Sequence, residues 1–130
     1  MVELNDKARS KIDAPNLAFL ATVMEDGSPQ VSPVWIAREN GHVTFNTAVG
    51  RVKERNMRRD PRVAVSIASK DDPYDKVCIR GRVVEMIVGE EAERQIDDLA
   101  KKYMGVDTYP AHNPEEPRVK VLVEPTSVSG

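Results

Sequence analysis

The fold is decided by the stretch from Leu17 to Ala37, which reads LAFLATVMEDGSPQVSPVWIA. Asp26-Gly27 within it is a strong signal for a tight turn, and the segments on both sides have the composition of strands. The stretch therefore predicts a β-hairpin, with strands at 17–24 and 30–37. The first strand is apolar on both faces, which indicates a strand that is buried on both sides.

Outside the hairpin, the rest of the chain is also rich in strand patterns. Four further strands are predicted at 42–47, 62–69, 76–87 and 118–124, and three short helices begin near Leu4, Gly50 and Glu90. Gly81 interrupts the longest strand and predicts a bend there. Six strands in mostly antiparallel order are too many for one flat, half-exposed sheet at this length. We therefore expect a mainly β fold with short helices, a six-stranded antiparallel split β-barrel.

Length and composition limit the class of protein. At 130 residues, the chain is expected to be one domain over 1–130. Its only cysteine, Cys78, rules out an internal disulfide and fits a reducing cytoplasm. Neither a secretory signal nor an apolar run of the roughly 20 residues that a membrane span needs is present. We expect a cytoplasmic protein with no membrane partner.

The segment from Gly50 to Asp60, GRVKERNMRRD, predicts a short helix with unusual charges. A helix N-terminus carries partial positive charge and favours acidic side chains, but Arg51 and Lys53 fall in the predicted first turn. Backbone N–H groups, the helix dipole and two cations would then converge on one point, which is typical of a phosphate site. Since the net charge of the chain is −2, this is one basic spot on an acidic body. Such a spot favours a compact anion over nucleic acid.

Spacing along this helix allows two interpretations. Lys53 and Asn56 are three residues apart and share a face, and Arg51 lies next to the helix start. Lysine supplies a point charge, and arginine and asparagine supply oriented donors, which suits a phosphate. The same spacing fits a solvated basic helix in which Glu54 and Asp60 are surface partners, each worth less than about 1 kcal/mol. Spacing alone does not decide between them.

Several pieces of the chain, spread over nearly its whole length, together form a recognisable pattern. They are Leu17–Thr22 with Asp26–Val31, Ser32–Trp35, Phe45–Thr47, Gly50–Lys53 with Asn56, Arg59–Ala64, Arg80–Val83, and Arg118-Val119. In this order and spacing the chain resembles the pyridoxamine 5′-phosphate oxidase-like split-barrel family. More narrowly, it resembles the branch of small proteins that use the deazaflavin coenzyme F420. The Gly-Arg-x-Lys-x-x-Asn piece is the most discriminating.

The resemblance implies a homodimer with a flavin-type cofactor bound at the subunit interface. It implies that the basic helix holds the cofactor phosphate and that the second hairpin strand lines the cofactor ring. It also implies that the end of the next strand lies beside the part of the cofactor that links the ring to the phosphate. The residues implied in these three roles are, in turn, Arg51, Lys53 and Asn56; Pro33, Val34 and Trp35; and Thr47 and Ala48.

The activity that the resemblance implies is an F420-dependent oxidoreductase, which transfers a hydride between the reduced deazaflavin and a small conjugated acceptor. An FMN-binding flavoprotein of the broader family would use the same phosphate residues, and a non-catalytic protein that binds a cofactor or ligand also stays open. We assign no catalytic residue, because hydride transfer is the cofactor's chemistry. We also expect no metal site, because His42 and His112 are far apart and no further ligand clusters with either.

Overall fold

The computed structural model describes residues 1–130 and contains one seven-stranded antiparallel sheet with three helices. The elements in chain order are α1 (Asp6–Asp13), β1 (Ala18–Val23), β2 (Pro29–Val34), β3 (Ile36–Glu39), β4 (His42–Ala48), α2 (Val52–Arg59), β5 (Arg62–Ala68), β6 (Lys76–Val88), α3 (Glu90–Met104) and β7 (Arg118–Ser129). The strand order in the sheet is β2-β1-β5-β6-β7-β4-β3. The predicted mainly β fold with short helices is confirmed.

The two edges of the sheet meet at a single residue. β2 and β3 lie at opposite edges, yet only Trp35 separates them along the chain. Consecutive Cα atoms are about 3.8 Å apart, so this link brings the edges together although no ladder joins them. A sheet that curls until its unpaired edges meet is a split barrel, as the sequence predicts.

The number of strands differs from the expected six. The segment 30–37, predicted as one strand, is divided at Trp35 into β2 and β3. The backbone N–H of Ile36, directly after the break, donates to the hydroxyl of Tyr103 at 3.1 Å. The chain leaves one edge of the sheet here and joins the other. The Tyr103 side chain of α3 accepts the backbone hydrogen bond at this point in place of a neighbouring strand.

The hairpin at Asp26-Gly27 has the predicted form. β1 and β2 pair from Ala18↔Val34 to Val23↔Pro29, and Gly27 has a φ of 87°, which favours glycine. The expectation that β1 is buried on both sides is wrong. Leu20 is fully buried in the barrel, but Phe19 on the opposite face is 49% exposed. The outer face of this strand is therefore apolar and uncovered.

The barrel interior is filled by aliphatic side chains that alternate along the strands. Val63, Val65 and Ile67 of β5 face Val77 and Ile79 of β6, and all five are buried. Burying each such side chain contributes about 1.5–3 kcal/mol. Ala8 and Ile12 of α1 are buried in the same cluster, so the opening helix packs on the barrel.

The bend predicted at Gly81 is present. β6 changes register with β7 between Arg80 and Gly81, and a Cβ at Gly81 would lie 2.5 Å from the carbonyl oxygen of Glu124. Only glycine therefore allows β7 to approach so closely. None of the three helices is both long and apolar enough to cross a membrane.

Candidate functional site

A cleft opens beside the meeting point of the two sheet edges, and we call it the seam cleft. It has a volume of about 270 Å³ and is lined by Leu17, Pro33, Val34, Trp35, Asn46, Arg51, Lys53, Ile96, Leu99, Tyr109 and Arg118. Ligand sites usually measure about 300–1,000 Å³. One chain therefore encloses slightly less than an ordinary small-molecule site.

The first turn of α2 supplies two of the cations in this cleft. Arg51 is the N-cap residue and makes no side-chain capping bond, and Lys53 is in the first turn. The charge pattern is less unusual than the sequence suggests, because the first turn also contains Glu54. That buried carboxylate accepts a hydrogen bond from the backbone N–H of Gly50 at 2.8 Å and pairs with Arg58. The helix start is therefore stabilised from within by an acidic side chain, as helix termini require.

Lys53 lies in the cleft without a counter-charge. Its ammonium is half-buried and donates to the hydroxyl of Ser32 at 3.0 Å, and it pairs with no carboxylate. Burial lowers the pKa of Lys53, and the charges of Arg51 and Arg118 lower it further. Arg51 does have a partner, since it pairs with Glu116 at 2.8 Å at an exposed position. The three cations therefore leave an excess of positive charge in the cleft.

Arg118 is the third cation, and it is only 7% exposed. Its Nε donates to Oδ1 of Asn46 at 2.7 Å, and its guanidinium lies 5.3 Å from the ring centre of Tyr109. The amide of Asn46 is fixed in turn, because its Nδ2 donates to the carbonyl of Ala92 and to Oε1 of Gln95, both at 2.9 Å. Arg118 is therefore held on the side of the cleft formed by α3.

Aromatic side chains form one wall of the cleft. Trp35 stacks on Tyr103, with ring centres 5.4 Å apart and planes at 11°, and Tyr109 meets Trp35 edge-on at 6.0 Å. Tyr103 is fixed by its hydroxyl, which donates to the carbonyl of Asn16 at 2.7 Å and accepts from Ile36. This arrangement gives a firm, flat, apolar surface at the point where the barrel closes.

The loop 105–117 is tied to α3 by two carboxylates. His112 lies between them, with Nε2 2.7 Å from Oδ1 of Asp97 and Nδ1 3.2 Å from Oε1 of Glu93. The backbone N–H of Tyr109 also donates to Asp97, at 2.8 Å. Hydrogen bonds from Tyr109 and His112 lower the pKa of the Asp97 carboxyl. His112 itself does not line the cleft, and its structural role is to hold Tyr109 in place.

Five of the eight residues implied as cofactor contacts lie together in the seam cleft: Pro33, Val34, Trp35, Arg51 and Lys53. Three do not line it. Thr47 and Ala48 are fully buried in β4. Asn56 is also buried, and its amide donates to Oγ1 of Thr22 at 3.0 Å and to the sulfur of Met24 at 3.3 Å. A contact between any of the eight and a cofactor stays a prediction.

No role was predicted for several residues that line the cleft, above all Asn46, Tyr109 and Arg118. One signal was visible: Asn46 is a polar residue between Phe45 and Thr47 in a strand whose side chains are nearly all buried. Arg118 was part of the family pattern but carried no assigned role. Its position depends on the pairing of β4 with β7, where Ala48 lies opposite Arg118.

Comparisons with known proteins agree with the fold. A family model described as pyridoxamine 5′-phosphate oxidase matches residues 4–130. A solved structure described as an F420 reductase is 30% identical, with a TM-score of 0.83 over 97% of this chain and 98% of that one.

Two further structures share the fold. A conserved hypothetical protein from Mycobacterium tuberculosis is 23% identical, with a TM-score of 0.75 over 98% of this chain and 84% of that one. A Lactobacillus delbrueckii protein, suggested to be a pyridoxamine 5′-phosphate oxidase, is 24% identical, with a TM-score of 0.61 over 98% of this chain and 94% of that one. With a family match over nearly the whole length and a 30% identical relative, this chain belongs to the pyridoxamine 5′-phosphate oxidase family of split barrels, which includes oxidoreductases.

Proposed function

We propose that this protein is an oxidoreductase that binds the deazaflavin coenzyme F420 in the seam cleft and reduces a small conjugated acceptor. The observation that carries the proposal is Lys53, a half-buried ammonium with no carboxylate partner, lying between two arginines. Burying such a charge is costly unless an opposite charge compensates it. A phosphate-bearing ligand supplies that charge.

The residues of the cleft fit the two parts of such a cofactor. Lys53 and Arg51 offer a point charge and a fork of donors for the phosphate. Pro33, Val34 and Trp35 present an apolar surface against which a flat ring can lie. The cations at the start of α2 therefore suit the phosphate of such a cofactor, and the apolar surface of β2 suits its flat ring.

The lining residues include no carboxylate, histidine or cysteine, so Lys53 and Tyr109 are the side chains there that could exchange a proton. When bound, the reduced deazaflavin supplies a hydride and releases a proton, which together balance the two electrons and two hydrogens that the acceptor gains. The protein's part is to bind, to orient the ring and to exclude water. An aromatic wall fixed by hydrogen bonds suits that part, because catalysis by positioning needs rigid surroundings.

Two observations bear on the choice of cofactor. The 30% identical structure described as an F420 reductase favours the deazaflavin. The family model, described as pyridoxamine 5′-phosphate oxidase, favours FMN as the second candidate. The same cations would hold either phosphate, so the two candidates have to be separated by binding measurements.

We further propose that the protein works as a homodimer. Phe19, Val31 and Leu17 are exposed apolar side chains on or beside the outer face of β1 and β2, with Val31 64% exposed. This face continues into the seam cleft, since Leu17 and Pro33 belong to both. A second copy of the chain would cover the apolar face and also enclose a cleft that one chain leaves small. Phe19→Asp is expected to give a monomer in light scattering and to weaken cofactor binding.

The test of the proposed function is a calorimetric titration of the purified protein with F420 and with FMN. We expect Lys53→Ala to weaken binding of the preferred cofactor at least tenfold, since a charge-assisted contact contributes about 1.5–3 kcal/mol. Lys70→Ala removes an exposed lysine away from the cleft and serves as the matched control. Tight binding of FMN alone would replace F420 in the proposal. An unchanged dissociation constant for Lys53→Ala would contradict the site.

A further inference from the structure

Arg118 has more binding capacity than the protein uses. Of its guanidinium nitrogens, only Nε makes a hydrogen bond to the protein, at 2.7 Å to Asn46. No carboxylate forms an ion pair with its guanidinium, although the charges of Glu116 and Glu93 act on it. The Glu93 carboxylate instead accepts a hydrogen bond from the backbone N–H of Arg118 at 2.9 Å. Both terminal nitrogens are left without a protein partner, although the residue is 93% buried and lines the seam cleft.

An arrangement of this kind indicates a ligand. A largely buried charge without a partner is costly, and proteins usually provide a counter-charge or shift the group to its neutral form. Arginine does not lose its proton in proteins, so the second route is closed. The guanidinium is also fixed in orientation by Asn46 and by the ring of Tyr109. A fixed fork of donors matches a carboxylate, which it binds through two parallel hydrogen bonds.

Arg118 is held by different elements from the cations of α2, although these charges act on one another. Lys53 is held on the β2 side of the cleft by Ser32. Arg118 is held on the α3 side, through the chain of hydrogen bonds from Asn46 to Ala92 and Gln95. The same cleft has an apolar lining that includes Trp35, Ile96 and Leu99. It therefore contains two cationic groups that different elements hold, one on the β2 side and one on the α3 side.

We propose that Arg118 binds the carboxylate of the acceptor, and that the acceptor is a planar, conjugated carboxylic acid whose flat part lies against Tyr109. This inference rests on the proposed function, since it assigns the phosphate of the cofactor to Lys53 and Arg51. Tyr109 contributes through its position, which Asp97 and His112 fix. Neutral molecules of the same shape would leave the terminal nitrogens of Arg118 without an anionic partner and are expected to bind more weakly.

The test uses two acid and amide pairs as probes, cinnamate with cinnamamide and 2-naphthoate with 2-naphthamide. Each is titrated by calorimetry into wild-type protein that is saturated with its cofactor, so that the α2 cations are already occupied. We expect each acid to bind at least tenfold more tightly than its amide. Arg118→Gln is expected to abolish this preference while it weakens cofactor binding less than Lys53→Ala does. Arg118→Lys keeps the charge without the fork and is expected to retain part of the preference.

The matched control is Arg94→Gln, an exposed arginine on α3 that does not line the cleft, and it is expected to keep the full preference. Equal binding of acid and amide to the wild type would overturn the proposal, whether or not any variant folds. So would a loss of cofactor affinity in Arg118→Gln at least as large as in Lys53→Ala, because Arg118 would then belong to the phosphate site. Failure of the wild type to bind either cofactor would overturn the proposed function itself. The titration with F420 and FMN measures that binding independently of the acid and amide probes.

Discussion

Two depressions flank α3, and they differ in whether a lysine that lines them is paired with carboxylates. The seam cleft contains three cations, of which only the exposed Arg51 has a carboxylate partner. The other, which we call the polar groove, lies between α3 and the strands β3 and β4 and has a larger volume, about 510 Å³. It is lined by Ala37, Arg38, Glu39, Thr44, Glu91, Arg94, Gln95, Asp98, Leu99, Lys102 and Lys120. Volume alone would favour the polar groove as the binding site.

The lysines of the two depressions show why charge is the better guide. Lys120 in the polar groove pairs with Glu39 at 3.0 Å and Glu91 at 3.3 Å. Burial lowers the pKa of Lys120, but these two carboxylates more than offset it, so the net shift is upward. Lys53 in the seam cleft has no such partner, and its pKa is lowered. A lysine that pairs with carboxylates of the protein contributes to the stability of the fold. A lysine without such a partner is available to bind an anionic ligand.

The largest expected effect comes from removing this difference. Lys53→Glu places a carboxylate near Arg51 and Arg118, which gives the seam cleft internal ion pairs like those of Lys120 in the polar groove. We expect cofactor affinity to fall at least a hundredfold, about 2.7 kcal/mol, while the free energy of unfolding stays the same or rises. Calorimetry and chemical denaturation measure the two quantities. A variant that loses stability and keeps its affinity would reverse the interpretation.

In the polar groove the opposite result is expected. Lys120→Met leaves Glu39 and Glu91 facing each other without their shared cation, so the free energy of unfolding should drop by about 2 kcal/mol. Both carboxylates are nearly half exposed, which keeps the loss below that of a fully buried pair. Cofactor affinity should not change. A tenfold loss of affinity in this variant would show that the two depressions are not independent.

The pH dependence of cofactor binding sharpens the comparison further. Because the pKa of Lys53 is lowered, its ammonium loses its proton at a pH below 10.5, the usual value for lysine. Affinity for the anionic cofactor should therefore fall as the pH rises toward that value, by roughly tenfold. Lys53→Arg keeps its charge through this range, so its affinity should stay level. The same alkaline loss in Lys53→Arg would place the responsible group elsewhere.

The smallest effect concerns Lys102, which borders the polar groove. Its ammonium donates to the carbonyl of Ile36 at 2.6 Å and to that of Ile12, and burial, opposed by the charge of Asp13, lowers its pKa to about 8. Between pH 8 and 10.5 the unfolded chain binds more protons at this group than the folded one. The free energy of unfolding should therefore rise with pH across this window, relative to Lys102→Met. With solvent screening we expect a gain of about 1 kcal/mol, measured by denaturation at several pH values.

Much of the fold could be predicted because its signals are local. The Asp26-Gly27 turn, the bend at Gly81 and the alternation of Val63, Val65 and Ile67 each depend on a few adjacent residues. The basic helix was also predicted with nearly its observed bounds, since α2 spans Val52–Arg59.

What could not be predicted depends on partners far away in the chain. The break at Trp35 involves the hydroxyl of Tyr103, 67 positions beyond Ile36. The position of Arg118 depends on Asn46, 72 positions earlier. In the alternative of a solvated helix Glu54 was a surface partner, but it is buried, and its carboxylate accepts a hydrogen bond from the backbone N–H of Gly50 at the helix start. Sequence periodicity therefore predicts the helices and strands. The contact between the two sheet edges, and the cations without carboxylate partners, depend on how the barrel closes.

The single-residue link at Trp35 also protects the protein against aggregation through its sheet edges. An open seven-stranded sheet would offer two free edges, and such edges recruit strands from other molecules and lead to aggregation. Here the short tether keeps each edge beside the other, where neither is easily reached by a foreign strand. Loop insertions between Val34 and Ile36 would lengthen that tether and release both edges, so this point should tolerate far less extra chain than the surface turn at Asp26-Gly27.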